Sequence, residues 1–220
     1  MLLLDSAAED DARRARQMAW VGGITTNPKL MAAAPRTPLD QLRVLLGVFE
    51  EGPVFFQPAD PGHAEEEVRR ALEAGGGRVV AKLPAQGPMV TLGKQLATEG
   101  HAVAFTAVYA PAQAAVGAEA GARWIIPYVD RVRRLRPEPP LVPALRSVLD
   151  ALGAPSRILA ASVKSPEQAV EALLQGADDL TLPLEVLEAM PADPLTDEAV
   201  EEFAAAARGA AGAGGTDIGD

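Results

Sequence analysis

The chain has 220 residues, of which 48% are hydrophobic and 4% aromatic, and it carries a formal net charge of -10 with an isoelectric point near 4.8. This length and apolar content suit one α/β domain, whose core must be built from Ala, Leu and Val rather than from aromatic rings. The acidic balance argues against nucleic acid as a partner, because neutralising phosphates requires a basic face. The absence of cysteine excludes disulfides and thiolate chemistry.

Metal, cofactor and membrane chemistry find little support in the sequence. The two histidines, His63 and His101, lie far apart without carboxylates at ligand spacing, so no metal site is predicted. No glycine-rich phosphate cradle is present, and we expect neither a nucleotide nor another cofactor. Residues 1–5 are too few and too soon acidic for a signal peptide, and no apolar run is long enough to span a bilayer. We therefore expect a cytoplasmic protein without a membrane partner.

Short apolar segments alternate with longer amphipathic segments along the chain, as is typical of repeated strand and helix units. The predicted strands cover residues 2–4, 20–24, 54–57, 79–84, 102–106, 124–127, 158–162 and 179–182. The predicted helices cover residues 7–18, 39–50, 63–74, 87–99, 110–120, 142–152, 166–175 and 194–208. A basic stretch at residues 131–136 and a proline-rich break at 137–140 interrupt this regular alternation.

The alternation predicts an α/β fold, a single (β/α)8 TIM barrel with an additional C-terminal helix. A doubly wound open sheet is the alternative, but it would usually show a glycine-rich turn after its first strand, and residues 5–8 contain no glycine. We expect residues 1–208 to form the barrel together with its C-terminal helix. The Gly/Ala-rich residues 209–220 are expected to form a flexible tail.

The fourth predicted strand, Val79–Pro84, contains a lysine within an apolar run. Lysine is rare in this chain, which uses arginine for most of its basic residues, so Lys82 is not ordinary surface filler. Burial of a lysine in a strand disfavours the ammonium form and lowers the pKa, so that the amine becomes a nucleophile able to form a Schiff base. The alternative is a lysine at a strand end whose stem packs while its ammonium group reaches water.

Polar side chains stand at or just after the carboxyl ends of the predicted strands, where such a barrel builds its active site. Asp5 and Ser162 could instead cap the following helices, and Asn27 could begin a turn before Pro28. Convergence of the whole set on one barrel mouth nevertheless indicates a common site. Its members are Asp5, Thr25, Thr26, Asn27, Gln57, Lys82, Thr106, Tyr128, Arg131, Ser162 and Lys164.

The residue types in this set indicate imine chemistry. A lysine amine beside a carboxylate, with hydroxyl and amide groups around them, can attack a carbonyl, transfer protons and orient water. Arg131, Ser162 and Lys164 add two cations and a hydroxyl on the late strands, where barrels often bind phosphate. Together they predict a phosphorylated ketone or aldehyde as the substrate.

Several of these segments carry a family resemblance. Together they resemble the transaldolase family, and within it the short subgroup that includes fructose-6-phosphate aldolase. The likeness also extends to residues 159–164 and 181–184, so it covers nearly the whole chain. The segments that carry it are 23–28 (Gly-Ile-Thr-Thr-Asn-Pro), 80–84 (Val-Ala-Lys-Leu-Pro), 106–109 (Thr-Ala-Val-Tyr) and 127–131 (Pro-Tyr-Val-Asp-Arg).

The resemblance implies an enzyme of carbohydrate metabolism, connected with the pentose phosphate pathway, that acts on a small-molecule sugar phosphate. Its Schiff-base lysine would be Lys82, and Asp5 would transfer the proton of the substrate hydroxyl at the bond being cleaved. Thr106 would help to order the catalytic water.

The resemblance also implies which residues bind the substrate. Thr25, Thr26 and Asn27 lie in the segment that would hold substrate hydroxyls. Arg131 and Ser162, with Lys164, match the phosphate-binding positions. Short members of the family assemble into pentamers and decamers, which implies a homo-oligomer in which the helix at residues 194–208 packs on a neighbouring subunit.

Gln57 is the position that divides the family. Transaldolases resemble one another in carrying a glutamate there, whereas the aldolase subgroup has a glutamine together with a tyrosine corresponding to Tyr128. This chain has the glutamine and the tyrosine, which favours an aldolase that cleaves or forms fructose 6-phosphate. A transaldolase that transfers the dihydroxyacetone unit to an aldose phosphate is the first alternative. A non-catalytic barrel that binds a sugar phosphate or a protein partner is the second.

Overall fold

The computed structural model describes residues 1–136 and 140–213. Its parallel strands follow one another in chain order, and the pairing of the first strand with the last closes a barrel. The predicted (β/α)8 TIM barrel is therefore confirmed. The strands are β1 (Leu2–Asp5), β2 (Val21–Thr25), β3 (Val54–Phe56), β4 (Val79–Pro84), β5 (Val103–Val108), β6 (Trp124–Pro127), β7 (Arg157–Ala160) and β8 (Asp179–Leu182).

Helices follow the strands, and all of the predicted helices are present within a residue or two of their expected starts. The helices among the described residues are α1 (Glu9–Gln17), α2 (Pro28–Ala33), α3 (Pro38–Val48), α4 (Ala64–Gly75), α5 (Gly87–Thr98), α6 (Pro111–Glu119), α7 (Val129–Leu135), α8 (Leu141–Ala151), α9 (Pro166–Leu174), α10 (Leu184–Ala189) and α11 (Pro194–Ala213). Three short helices, α2, α7 and α10, were not predicted.

Two of the three unpredicted helices, α2 and α7, have local causes. The α2 helix begins where the sequence favoured a turn, because the Asn27 side chain accepts a hydrogen bond from the Leu30 N–H at 3.0 Å and Pro28 occupies the first helical position. The basic stretch at residues 131–136 belongs largely to α7, where Arg134 forms an ion pair with Asp130 one turn earlier. Residues 137–139 of the predicted proline-rich break lie outside the described residues.

Glycines let two helices approach the outside of the barrel closely. Phe105 of β5 is fully buried on that side. A Cβ atom on Gly93 of α5 would lie 2.5 Å from the Phe105 ring, and one on Gly117 of α6 would lie 2.7 Å from Ile125. Alanine at either position would force the Phe105 ring or the Ile125 side chain to move, so the glycines permit the close contact between helix and strand.

A buried carboxylate closes the amino end of the barrel. Asp179, at the start of β8, has no solvent-exposed surface. It accepts hydrogen bonds from Arg157 Nε at 2.7 Å, from the Trp124 indole N–H at 3.0 Å and from the α-amino group of Met1 at 2.5 Å. Burial alone would raise the pKa of Asp179, but these donors together outweigh burial and hold the pKa below its ordinary value.

We predict that Asp179→Asn destabilises the barrel by about 3 kcal/mol, because it leaves the Arg157 guanidinium without its counter-charge. This value is at the low end of the range for breaking a buried ion pair, since the Arg157 side chain is partly exposed. Urea unfolding provides the measurement. The matched control is Glu66→Gln, which breaks the exposed pair of Glu66 with Arg70 and should lower stability by less than about 1 kcal/mol.

The difference in stability between wild type and Asp179→Asn should depend on pH in one direction. Because the pKa of Asp179 is lowered in the folded protein, its ionised form stabilises the fold above the unfolded-state pKa, and this contribution is lost as the pH falls. The gap between wild type and Asp179→Asn should therefore shrink in acid. Equal losses for Asp179→Asn and Glu66→Gln at neutral pH would contradict the role given to this cluster.

The chain separates into a unit spanning Met1–Leu187, which contains the barrel, and a C-terminal unit that begins at Glu188. Helix α11 in the C-terminal unit continues to Ala213, so residues 209–213 extend the helix beyond its expected end at Arg208, and the rest of the expected tail, 214–220, lies outside the described residues. Leu195, Val200 and Phe203 of α11 are exposed. Among the described residues, no helix combines the length and the apolar character that a bilayer span requires.

Candidate active site

The inward-facing side chains of the barrel form one buried cluster whose members come from six strands. Side chains alternate between the two faces of a strand, so a residue two positions nearer the carboxyl end points to the same side. In each of five strands, the residue two positions beyond a cluster member is polar, and these five residues are Asp5, Gln57, Lys82, Thr106 and Tyr128. The cluster consists of Leu3, Phe55, Val80, Ala104, Trp124, Ile126, Leu159 and Ala161. The predicted catalytic residues therefore lie in one layer above the apolar core, at the carboxyl end of the barrel.

Lys82 lies at the centre of this layer and is almost completely buried, with 3% of its surface exposed. Its amine donates a hydrogen bond to the Thr26 carbonyl oxygen at 2.6 Å. Burial lowers the pKa of Lys82 to about 8, and the negative charge of Asp5 opposes part of this fall. The structure thus places Lys82 inside the barrel rather than at a wet strand end, and a substantial fraction of its amine is neutral near physiological pH.

Asp5 is held by hydroxyl groups. The Thr25 hydroxyl donates to Asp5 Oδ1 at 2.9 Å, and the Thr181 hydroxyl of β8 lies 2.5 Å from the Thr25 hydroxyl. Both threonines are buried. Thr181 is absent from the predicted site, although it follows Asp179 by two residues on β8 and therefore faces the same interior; strand alternation was the signal that could have found it.

Thr26 and Asn27 are engaged with the backbone. The Thr26 hydroxyl donates to the Phe55 carbonyl oxygen at 2.7 Å, and the Asn27 side-chain oxygen caps α2. Of the three residues expected to hold substrate hydroxyls, Thr25 is therefore the one whose hydroxyl meets Asp5. The capping contact leaves the side-chain nitrogen of Asn27 as the group that could still meet a ligand.

Tyr128 and Thr106 face each other across the mouth, where the Thr106 hydroxyl donates to the Tyr128 oxygen at 3.3 Å. Burial raises the pKa of Tyr128, and the contact with Thr106 opposes this rise, so the phenol is protonated at neutral pH. The ring of Tyr109 packs edge-on against the Tyr128 ring, with centroids 5.9 Å apart. A neutral phenol beside a hydroxyl can orient a water molecule and can donate a proton to a basic reaction intermediate.

Gln57 follows β3 directly, and its side-chain oxygen is buried without a hydrogen-bond partner in the described structure. The loop after it is fastened by Glu67 of α4, whose carboxylate accepts hydrogen bonds from the Ala59 N–H at 2.7 Å and from the Asp60 N–H at 3.3 Å. A buried amide oxygen without a donor is costly. A water or substrate hydroxyl at this position would satisfy it.

The three predicted phosphate-binding residues follow the late strands. Arg131 donates to the Tyr109 hydroxyl at 3.3 Å and its guanidinium carbon lies 5.5 Å from the centre of the Tyr128 ring. Ser162 comes after the end of β7, whereas the predicted strand included it, and Lys164 is exposed. The structure brings Arg131 to Tyr109 and Tyr128. Among the described residues, Arg131 makes no hydrogen bond with Ser162 or Lys164.

Two residues at the mouth have left-handed backbone conformations. Ala107 has φ 56° and Ser162 has φ 63°, values that residues with a Cβ adopt rarely. Ala107 follows Thr106, where the pairing of β5 with β6 shifts register between Phe105 and Val108. Strained backbone of this kind clusters at functional sites because it sets the direction of neighbouring groups.

The fold and the desolvated amine define the class of protein: a parallel barrel that carries, at its carboxyl end, the groups needed for imine chemistry on a carbonyl compound. The described residues contain no group of His, Asp or Glu side chains arranged to hold a metal ion.

A comparison with family models identifies the family. The model described as transaldolase/fructose-6-phosphate aldolase matches residues 2–214, and the chain belongs to this family. It is thus an enzyme of the Schiff-base aldolase and transaldolase type that acts on a sugar phosphate.

We predict that the Lys82 side-chain nitrogen titrates with a midpoint near pH 8, well below the value of about 10.4 for an ordinary lysine. The nitrogen chemical shift of Lys82, assigned by its loss in Lys82→Met, provides the measurement. Asp5→Asn removes the negative charge that favours the ammonium form, so the pKa of Lys82 should fall further. Asp40→Asn, at an exposed position on α3, is the control and should leave the midpoint unchanged. A Lys82 midpoint above pH 10 would contradict the desolvation described above.

Proposed function

We propose that the protein is a Schiff-base aldolase that cleaves fructose 6-phosphate to dihydroxyacetone and glyceraldehyde 3-phosphate and also catalyses the reverse addition. The observation that carries this proposal is the buried Lys82 amine, with a pKa of about 8, lying within the electrostatic influence of Asp5. Membership of the family supports the chemical class of the reaction. The glutamine at position 57 and the tyrosine at 128 favour the aldolase over the transaldolase.

The first steps form the imine. The neutral amine of Lys82 attacks the ketone carbon of the sugar, a C–N bond forms, and the carbonyl oxygen takes a proton to give a carbinolamine. Loss of water then gives the protonated imine. Tyr128, held neutral by burial, would donate the proton that accompanies the leaving water.

Bond cleavage follows at the hydroxyl carbon next to the imine-bearing fragment. The Asp5 carboxylate takes the proton of that hydroxyl, the carbon–carbon bond breaks, and its electron pair moves toward the iminium nitrogen to give an enamine on Lys82. The hydroxyl carbon becomes the aldehyde of glyceraldehyde 3-phosphate. Arg131, with Ser162 and Lys164, would hold the phosphate of this departing fragment.

The fate of the enamine separates the two family activities. Protonation of its carbon followed by attack of water releases dihydroxyacetone, as in an aldolase. Addition to an aldose phosphate transfers the three-carbon unit, as in a transaldolase. In this proposal Gln57, Thr106 and Tyr128 would hold the deciding water. Thr106 and Tyr128 are in contact with each other, and the Gln57 oxygen, which has no partner in the described structure, could accept a hydrogen bond from the water.

Helix α11 supports a homo-oligomer as part of the proposal. Its exposed Leu195, Val200 and Phe203 would be unfavourable in water as a monomer surface. A pentamer or decamer in which α11 packs on a neighbouring subunit would bury them.

The central test is an assay with fructose 6-phosphate in the presence and absence of erythrose 4-phosphate, with continuous measurement of glyceraldehyde 3-phosphate. We expect sustained release without the acceptor, and dihydroxyacetone in equal amount. Release that depends strictly on erythrose 4-phosphate would identify a transaldolase. Lys82→Met should lose at least about 1,000-fold in turnover and form no borohydride-trapped adduct, because no other described amine is buried in the mouth. Normal turnover by Lys82→Met would reject the mechanism.

We predict that Gln57→Glu shifts the enzyme from release toward transfer. A carboxylate at this position would act on the deciding water as an acid or base, whereas the amide can only orient it, so the enamine should persist longer for an acceptor. The ratio of transferred product to free dihydroxyacetone, measured at a fixed concentration of erythrose 4-phosphate, should rise about tenfold. The matched control is Gln17→Glu, at the exposed C-terminal end of α1. An unchanged ratio in Gln57→Glu would contradict the role given to Gln57.

A further inference from the structure

Two hydroxyl groups and one carboxylate form a continuous chain of hydrogen bonds where β1 and β8 meet and close the barrel. Thr181 on β8, Thr25 on β2 and Asp5 on β1 are joined by contacts of 2.5 Å and 2.9 Å. Thr25 has no exposed surface and Thr181 has 2%. Water therefore does not compete for the two hydroxyl groups, and their protons are directed by one another.

The direction of the hydrogen bonds in this chain follows from the number of protons. A threonine hydroxyl carries one proton. Thr25 donates its proton to Asp5 Oδ1, so the short contact between Thr25 and Thr181 must use the proton of Thr181. The Thr181 hydroxyl therefore donates to Thr25, which donates to Asp5. Hydrogen bonds in such a series polarise one another, so the second donor strengthens the bond to the carboxylate.

We propose that Thr181 is a positioning residue for Asp5. By holding the Thr25 hydroxyl in one orientation, Thr181 commits Oδ1 of Asp5 to accepting a hydrogen bond and leaves Oδ2 free to take the proton of the substrate hydroxyl. This inference rests on the proposed function, in which Asp5 is the base for carbon–carbon cleavage. It assigns a role to β8, which supplies no residue of the predicted site either on the strand or in the residues directly after it.

Asp5 needs such a support because of its neighbour. The charge of Asp5 favours the ammonium form of Lys82, so the two groups attract each other when both are ionised. A carboxylate that turned toward the amine would be misplaced for the substrate hydroxyl. The hydroxyl chain holds Asp5 through β2 and β8 without introducing a second charge into the mouth. The alternative role for Thr181 is purely structural, as a cross-strand link that closes the barrel.

The experiment compares Thr181→Val, which keeps the shape of the side chain and removes the hydroxyl, with Thr181→Ser, which keeps the hydroxyl. Imine formation is measured by borohydride trapping on Lys82, and cleavage by single-turnover release of glyceraldehyde 3-phosphate. This first half-reaction is common to the aldolase and the transaldolase, so the outcome does not depend on which of the two activities the enzyme has.

We expect Thr181→Val to trap imine within twofold of wild type and to release glyceraldehyde 3-phosphate about tenfold more slowly, the size expected when a hydrogen bond to a charged group is weakened. The KM for fructose 6-phosphate should change little. Thr181→Ser should recover cleavage to within about threefold of wild type. The matched control is Ser156→Ala, which removes a buried hydroxyl bonded to the Ala122 carbonyl oxygen at the amino end of the barrel, and which should leave both steps unchanged.

Several results would overturn the proposal. Cleavage by Thr181→Val at the wild-type rate would show that the hydroxyl is dispensable. Equal slowing of Thr181→Val and Thr181→Ser, or equal slowing of imine formation and cleavage, would show that packing and not the hydroxyl matters.

A crystal structure of unliganded Thr181→Val provides a reading that needs no substrate. We expect the Thr25 side chain to leave its single orientation, with its oxygen beyond hydrogen-bond distance of Asp5 in at least part of the molecules. If Thr25 keeps its contact with Asp5, the inference is overturned whatever the activity. If the wild-type enzyme neither forms an imine nor cleaves fructose 6-phosphate, the proposed function fails, and this structure still decides whether Thr181 positions Asp5.

Discussion

The solvation of one lysine amine constrains the whole mouth of the barrel. Removing an ammonium ion from water costs several kcal/mol of hydration free energy. Burial therefore lowers the pKa of Lys82 to about 8, while the charge of Asp5 favours the ammonium form and the Thr26 carbonyl oxygen accepts a hydrogen bond from the amine. The amine is therefore divided between its two forms near neutral pH. This balance suits the role proposed for Lys82, which would attack as a neutral amine and carry a positive charge as an iminium ion one step later.

The carboxylates at the two ends of the barrel, the fully buried Asp179 and the partly buried Asp5, have different surroundings. At the amino end, Asp179 meets an arginine, an indole N–H and an amino group, so its charge is fully compensated and its role is to hold strands together. At the carboxyl end, Asp5 accepts a hydrogen bond from a hydroxyl, and its charge acts on the titratable Lys82. A carboxylate satisfied by a strong ion pair would be a poor base, whereas one oriented by neutral donors keeps an oxygen available for proton transfer. Stability and reactivity thus reside in separate layers of the same cylinder.

The sequence allowed the fold to be predicted well because apolar strands and amphipathic helices alternate along most of the chain, and this period determines a barrel more surely than any single residue does. Strand alternation also predicted that Lys82 and Gln57 follow inward-facing apolar residues by two positions, as they do in the barrel. It did not separate Thr25 from Thr26, because only the observed register shows which of two adjacent threonines faces Asp5. Thr181 was not predicted, because strand alternation could place its side chain inside the barrel but could not show that its hydroxyl meets Thr25. The left-handed backbone at Ala107 and Ser162 could not be predicted, because glycine is the residue that signals this conformation in a sequence and neither position is a glycine.

The left-handed residues have a consequence for the thermodynamics of substrate binding. Ala107 and Ser162 each hold the chain in a conformation that is about 1–2 kcal/mol less favourable than the right-handed region, and closure of the surrounding strands keeps them there. A flexible glycine at these positions would relieve the strain but leave the mouth to be ordered by the ligand at every encounter. Because the rigid backbone has already lost that freedom during folding, the entropy of ordering the mouth does not weaken the affinity for the sugar phosphate.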